Sequence, residues 1–208
     1  MGLKKRADAG VAHPVTTRHY ARDLPGLIAQ MDDGEPAVRR WAARDLGSHP
    51  AAAAALGARL VAETDSSVRS ALFSSLARLG GDGVVTAVLP LLRSEDPELR
   101  NGAIEVLSGL PDALAPHIDA LLRDGDSDVR IFTVNLLGEL RHLRVLAWLE
   151  RVLMEDPAVN VVGAALEVIA EVGTAGTLPG LRAVAQRFPD DAFIGFAVEL
   201  AIGRIGTP

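Results

Sequence analysis

Cysteine is absent from this 208-residue chain. That excludes disulfides, thiolate nucleophiles and cysteine-ligated zinc or iron–sulfur sites. Aromatic residues are scarce, at 4% against 49% hydrophobic residues. The apolar mass is therefore Ala, Leu and Val, which suits slender helices packed closely side by side. No apolar run approaches the ~20 residues that span a bilayer, and the first residues lack the continuous apolar stretch of a secretory signal. A soluble, cytoplasmic protein is the expectation. Chemical motifs are missing too. None of His13, His19, His49, His117 and His142 stands in an i, i+4 pair or an H-E-x-x-H arrangement. No Gly-rich loop runs into Lys-Ser or Lys-Thr, so Gly80-Gly81-Asp82-Gly83 reads as a helix end and turn rather than a phosphate cradle. These residues lead us to expect no catalytic set, metal ion or cofactor.

The net charge of −6 is unevenly spread. Residues 1–22 carry Lys4, Lys5, Arg6, Arg18 and Arg22 against Asp8 alone, while the other 186 residues carry 16 basic and 26 acidic side chains. The expected layout is a flexible basic arm over 1–22 and one folded domain over 23–208. An acidic body argues against a surface given over to nucleic acid. The arm has phosphate, an acidic partner or its own acidic body as candidate contacts.

What is present is a repeat. Glu35-Pro36-Ala37-Val38-Arg39, Asp65-Ser66-Ser67-Val68-Arg69, Glu95-Asp96-Pro97-Glu98-Leu99-Arg100 and Asp126-Ser127-Asp128-Val129-Arg130 each join a polar turn to an aliphatic residue and then Arg. The aliphatic residues Val38, Val68, Leu99 and Val129 lie 30, 31 and 30 apart, and each is followed eight residues on by Leu46, Leu76, Leu107 or Leu137. A fixed period of this size marks stacked helical units.

Pairs of helices follow from the 3.6-residue spacing. Leu24, Leu27, Ile28 and Met31 form one stripe, and Pro36 opens a helix that stops at Gly47. Residues 51–63, with Leu56, Leu60 and Val61, pair with a helix from Asp65 to Gly80-Gly81. Val84, Val85, Val88, Leu89 and Leu92 precede a helix capped by Asp96. Leu114, Ile118, Leu121 and Leu122 precede one capped by Asp126. Asp at these starts satisfies free N–H groups and favours the positive helix end, each worth ~1 kcal/mol. Leu143, Leu146, Leu149 and Leu153 form the next helix, with Asp156-Pro157 starting its partner. The sixth pair falls near 177–188 and 191–205. Pro25, Pro116 and Pro179 sit early in their helices, whereas Pro90 lies inside one and should kink or shorten it. Val162 and Ile194 stand where the repeating Arg would be, so the last two units are expected to hold by apolar contact alone.

The acidic turn, the aliphatic-Arg step, Ala42 and Ala103 four residues on and the Leu eight on resemble the HEAT repeat, in particular its short bacterial class, often called phycobilisome-lyase-like. The resemblance covers 23–208. It implies an all-α solenoid of about six antiparallel helix pairs, wound as a right-handed superhelix with the Arg-bearing helices inside. It also implies a polar ladder of Asp65, Asp96 and Asp126 with Arg39, Arg69, Arg100 and Arg130. Physics agrees in outline, since one helix pair encloses no core and must bury its face on its neighbours.

Six residues beyond each aliphatic position stand Arg44, Ser74, Glu105, Asn135, Glu167 and Glu199. With Arg40, Glu139 and Glu171 they make a row that runs from basic to acidic. The row reads as a groove for a protein partner of opposite polarity, or as an ordinary solvated face. Trp41, among Arg39, Arg40 and Arg44, reads as a binding hot spot or as the lid on the first unit. Phe193, Ile194, Phe196, Ile202 and Ile205 suggest an open apolar end and a homodimer through it. The expected function is a non-enzymatic scaffold or adaptor for a protein partner. The resemblance also admits a subunit of a bilin-lyase-like enzyme, and more remotely a HEAT-like DNA glycosylase, whose face would have to be basic.

Overall fold

The computed structural model describes residues 20–206, and every regular element among them is a helix. The twelve α-helices are α1 (Leu24–Gln30), α2 (Pro36–Leu46), α3 (Ala53–Ala62), α4 (Ser66–Leu79), α5 (Asp82–Val88), α6 (Pro97–Ser108), α7 (Pro111–Leu121), α8 (Ser127–Glu139), α9 (Val145–Glu155), α10 (Val159–Val172), α11 (Leu178–Arg187) and α12 (Ala192–Gly206). Each odd helix packs on the even helix that follows it, giving six pairs. The even helices form one layer in chain order, α2 to α12, while α3 meets α5, α5 meets α7 and α9 meets α11 in the other. Contacts thus join neighbours in sequence, the arrangement of an α-solenoid.

The repeat explains both layers. Val38, Val68, Leu99 and Val129 are all buried, as are Leu46, Leu76, Leu107 and Leu137 eight residues on. Two turns and a fraction separate the members of each couple, so both point to the same side of their helix. Val68, Leu99 and the four Leu residues join Leu56, Val85, Leu114 and Leu149 from the odd helices in one continuous core.

Local signals set the helix ends. The Asp23 side chain accepts from the Gly26 N–H, Asp65 from those of Ser67 and Val68, Asp96 from Glu98 and Asp126 from Asp128. Pro90 ends α5 at Val88, and the chain continues as a 3-10 turn from Leu89 to Arg93. Gly80 and Gly81 have φ of 62° and 78° with extended ψ, a backbone region open to glycine and closed to other residues. They reverse the chain between the second and third pairs.

Several expectations are corrected. Val61 is 65% exposed and Leu143 is 93% exposed. Val145, Trp148 and Val152 fill the stripe of α9 beside Leu149 and Leu153. Helix α7 begins at Pro111, so Pro116 lies in its interior rather than near its start. Helix α10 begins two residues after Pro157, because the Asp156 side chain turns inward and is buried. The expected flexible arm falls mostly on residues 1–19, outside the described residues. Of the rest, Arg22 reaches Asp45 on α2 at 3.1 Å, and the Ala21 carbonyl accepts from the buried Gln30 side chain.

Candidate functional site

The last residue of each repeat motif is an arginine, and its surroundings follow one plan. Arg39 donates to the carbonyls of Asp33 and Gly34, Arg69 to that of Glu63, Arg100 to that of Ser94 and Arg130 to that of Asp124. In all four the guanidinium reaches back six residues and ties its own helix to the turn that precedes it. Those carbonyls would otherwise sit at a helix junction with few partners.

The carboxylate on the far side of each arginine varies. Glu63 takes Arg39 through two hydrogen bonds of 2.7 and 2.8 Å and is buried with it. Asp156 takes Arg130 at 2.7 and 3.1 Å, again with both partners buried. Arg69 meets Asp96 and Glu98, each at 2.7 Å. Arg100 has no carboxylate partner among the described residues. Its guanidinium lies 4.6 Å from the centre of the Phe132 ring, and its buried Nε makes no hydrogen bond.

Of the ladder implied by the resemblance, Arg69 and Asp96 are therefore brought together. Asp65 and Asp126 instead cap α4 and α8, and Glu63 and Asp156 take the places facing Arg39 and Arg130. The fifth unit is not held by apolar contact alone. Arg187 on α11 donates to the Leu153 carbonyl at 2.8 Å and to the Asp156 carbonyl, six residues before Val162. An arginine from the next unit thus supplies the clamp that Val162 cannot.

These pairs bias protonation. The Arg39 hydrogen bond holds the Glu63 carboxyl down at about 2, against the opposing push of burial. Arg69 lowers Asp96, chiefly by its hydrogen bond. On the other layer Arg151 lowers Asp119, which links α7 to α9 through Arg151 at 2.7 Å and Arg144 at 3.4 Å. His142 stacks on Trp148 with ring centres 5.0 Å apart, and its Nδ1 accepts from the Arg144 N–H.

The even helices present the remaining candidates outward. Arg44 on α2, Ser74 on α4, Glu105 on α6, Asn135 and Glu139 on α8, Glu167 and Glu171 on α10 and Glu199 on α12 are all exposed. They form a row across the layer, and none belongs to the arginine clamps. Arg40 is half-buried and donates to the Ser67 hydroxyl at 2.8 Å, while Trp41 beside it is half-buried. Between α4 and α6 the layer opens into a groove of about 520 Å³. Ser70, Phe73, Ser74 and Ala77 line one wall, and Glu98, Asn101, Gly102, Glu105 and Val106 line the other. Ser74 and Glu105 were legible from the repeat spacing. Phe73 was not, because position 73 is filled differently in each copy.

The apolar end is also redistributed. Ile194 is buried, and Ile202 and Ile205 pack against the core. Phe193, Phe196 and Leu200 are left as the exposed stripe of α12. Among the described residues no group of three or more His, Cys, Asp or Glu is placed to hold a metal, and no helix is long and apolar enough to cross a membrane.

The family model described as HEAT repeats matches residues 24–112 and 114–208. No curated protein matches the chain. Among solved structures, human deoxyhypusine hydroxylase in complex with glycerol is 18% identical, covering 90% of this chain and 76% of that one at a TM-score of 0.47. A designed armadillo repeat protein in complex with a (KR)4 peptide is 16% identical over 88% of this chain and 99% of that one, at 0.44. An engineered protein is 19% identical over 89% and 99%, at 0.45. Likeness at these levels carries no argument about function. The assignment rests on the family match, whose two segments cover both halves of a solenoid of paired helices with buried columns at the repeat positions: this chain belongs to the HEAT-repeat family.

Proposed function

We propose that the protein is a non-enzymatic scaffold that holds a protein partner against its layer of even-numbered helices. The observation that carries this reading is the row from Arg44 to Glu199, exposed on all six even-numbered helices and unused by the clamps that hold the array together. Exposed side chains outside the clamps, repeated at one helix spacing and graded in charge, suit an extended ligand. The carboxylates of the row are exposed, whereas a general acid is raised into its working range by a drier setting.

Photo-crosslinking tests the reading. A photoreactive residue at Asn135 or Glu167, on the even layer, should capture a discrete partner in cells, and one at Thr86, on α5, should not. Capture from Thr86 alone, or from neither layer, would overturn it.

The exposed stripe of Phe193, Phe196 and Leu200 supports a second contact, self-association through α12. Phe196→Glu should convert a concentration-dependent dimer into a monomer in sedimentation velocity. A native chain that sediments as a monomer at every concentration would refute that contact.

A further inference from the structure

The groove between α4 and α6 has an aromatic residue, Phe73, in its lining. The ring of Phe73 on α4 packs against Gly102 on α6, so close that a Cβ at position 102 would come within 2.4 Å of it. The small residue on α6 seats the ring, and the two helices stand apart above it. Phe73 is half-buried, Val106 beside it is buried, and no Lys or Arg lines the groove. Two carboxylates stand at its edge. Glu98 is committed to Arg69 at 2.7 Å. The exposed Glu105 carboxylate makes no hydrogen bond or ion pair among the described residues.

From this geometry we infer that the groove takes a Lys or Arg side chain from an extended segment of a protein partner. The alkyl stem of such a residue lies over Phe73 and Val106, its cationic head meets Glu105, and the ring face adds the attraction of an aromatic quadrupole for a cation. Charge decides against the alternatives. An acidic segment would meet Glu98 and Glu105 at the mouth and Glu139, Glu167 and Glu171 further along the layer, with like-charge contact at each step. A purely apolar segment would bury Glu105 without a counter-ion, which is costly. The inference rests on the even layer being the docking face, and it names the chemistry that face selects.

The test is a fluorescence-anisotropy titration of the full-length chain with a short labelled peptide alternating Lys and Arg, and with its Asp/Glu counterpart. The basic peptide should bind, lose affinity as salt is added, and bind about tenfold more weakly to Glu105→Lys and to Phe73→Ser. Glu155→Lys, an exposed carboxylate on α9 in the other layer, should change affinity by about twofold or less. Glu105 is exposed, so its variant should keep the native fold, which circular dichroism checks.

Equal losses in Glu105→Lys and Glu155→Lys would overturn the groove and leave the net charge of the body as the cause of binding. Absence of basic-peptide binding, or equal binding of the acidic peptide, would also overturn it. Crosslinking from Asn135 or Glu167 would still report separately on the docking layer. Binding that appears only when Lys4, Lys5 and Arg6 are all replaced by Glu would assign the groove to the chain's own basic residues instead of a partner.

Discussion

Glu63 carries more connections than any other acid among the described residues. Its carboxylate accepts from Arg39, from Arg59 at 3.0 Å and from the N–H groups of Thr64 and Asp65. A fully buried carboxylate is tolerated only when it is satisfied in this way. Its folded-state value of about 2 lies below the ordinary 4.5. The stability it contributes is therefore complete above pH 4.5 and is lost as pH falls from there toward 2. Acid titration of unfolding free energy should show a decline over that window in the native chain and a flatter one in Glu63→Gln. Parallel curves would contradict the linkage. Arg130 and Arg100 make a second comparison. Arg130→Ala leaves Asp156 buried and unpaired and should cost about 3–5 kcal/mol in denaturant unfolding. Arg100→Ala strands no carboxylate and should cost about 1 kcal/mol, the worth of one carbonyl bond and one ring contact. Equal losses would show that the carboxylate adds nothing to the rung.

Among the elements, the even helices were the most legible in the sequence, since Val38, Val68, Leu99 and Val129 repeat with their Leu partners at a constant offset. Asp65, Asp96 and Asp126 marked helix starts because capping is a local interaction read from a few adjacent residues. The pairing partners were less legible. Asp65 and Glu63 are two residues apart and chemically alike, and only the geometry of the turn decides which caps and which faces Arg39. Arg187 was hidden for another reason: its role lies outside the repeat, in an arginine reaching backward from the following unit. The groove was half legible, through Ser74 and Glu105, while the fit of Phe73 on Gly102 depends on the approach of two helices. Gly80 allows a test at this scale. With φ of 62° it should resist any side chain, and Gly80→Ala should cost about 1–3 kcal/mol by thermal or denaturant unfolding. A neutral result would show that the turn relaxes without penalty.

Taken whole, the molecule is close to one-dimensional, each pair finding its core in its neighbours. Damage in the middle should spread outward by adjacency. Leu107→Ala opens a cavity at a fully buried position and should cost about 2–5 kcal/mol. Hydrogen exchange in that variant should accelerate first in α4, α6 and α8, with α2 and α12 protected longer. Uniform acceleration along the chain would point to a single cooperative block. The arginine clamps carry one more consequence, for how the chain tolerates changes of length. Each spans a fixed six residues inside a pair, so adding or deleting a residue between Asp33 and Arg39, or between Asp124 and Arg130, would pull the guanidinium off its carbonyl. The links between pairs have no such ruler. Residues 140–144 already form a longer link than 80–81, with Leu143 in solvent. Grafted tags, flexible extensions or foreign loops belong at those outer joints, where the solenoid can lengthen without losing its register.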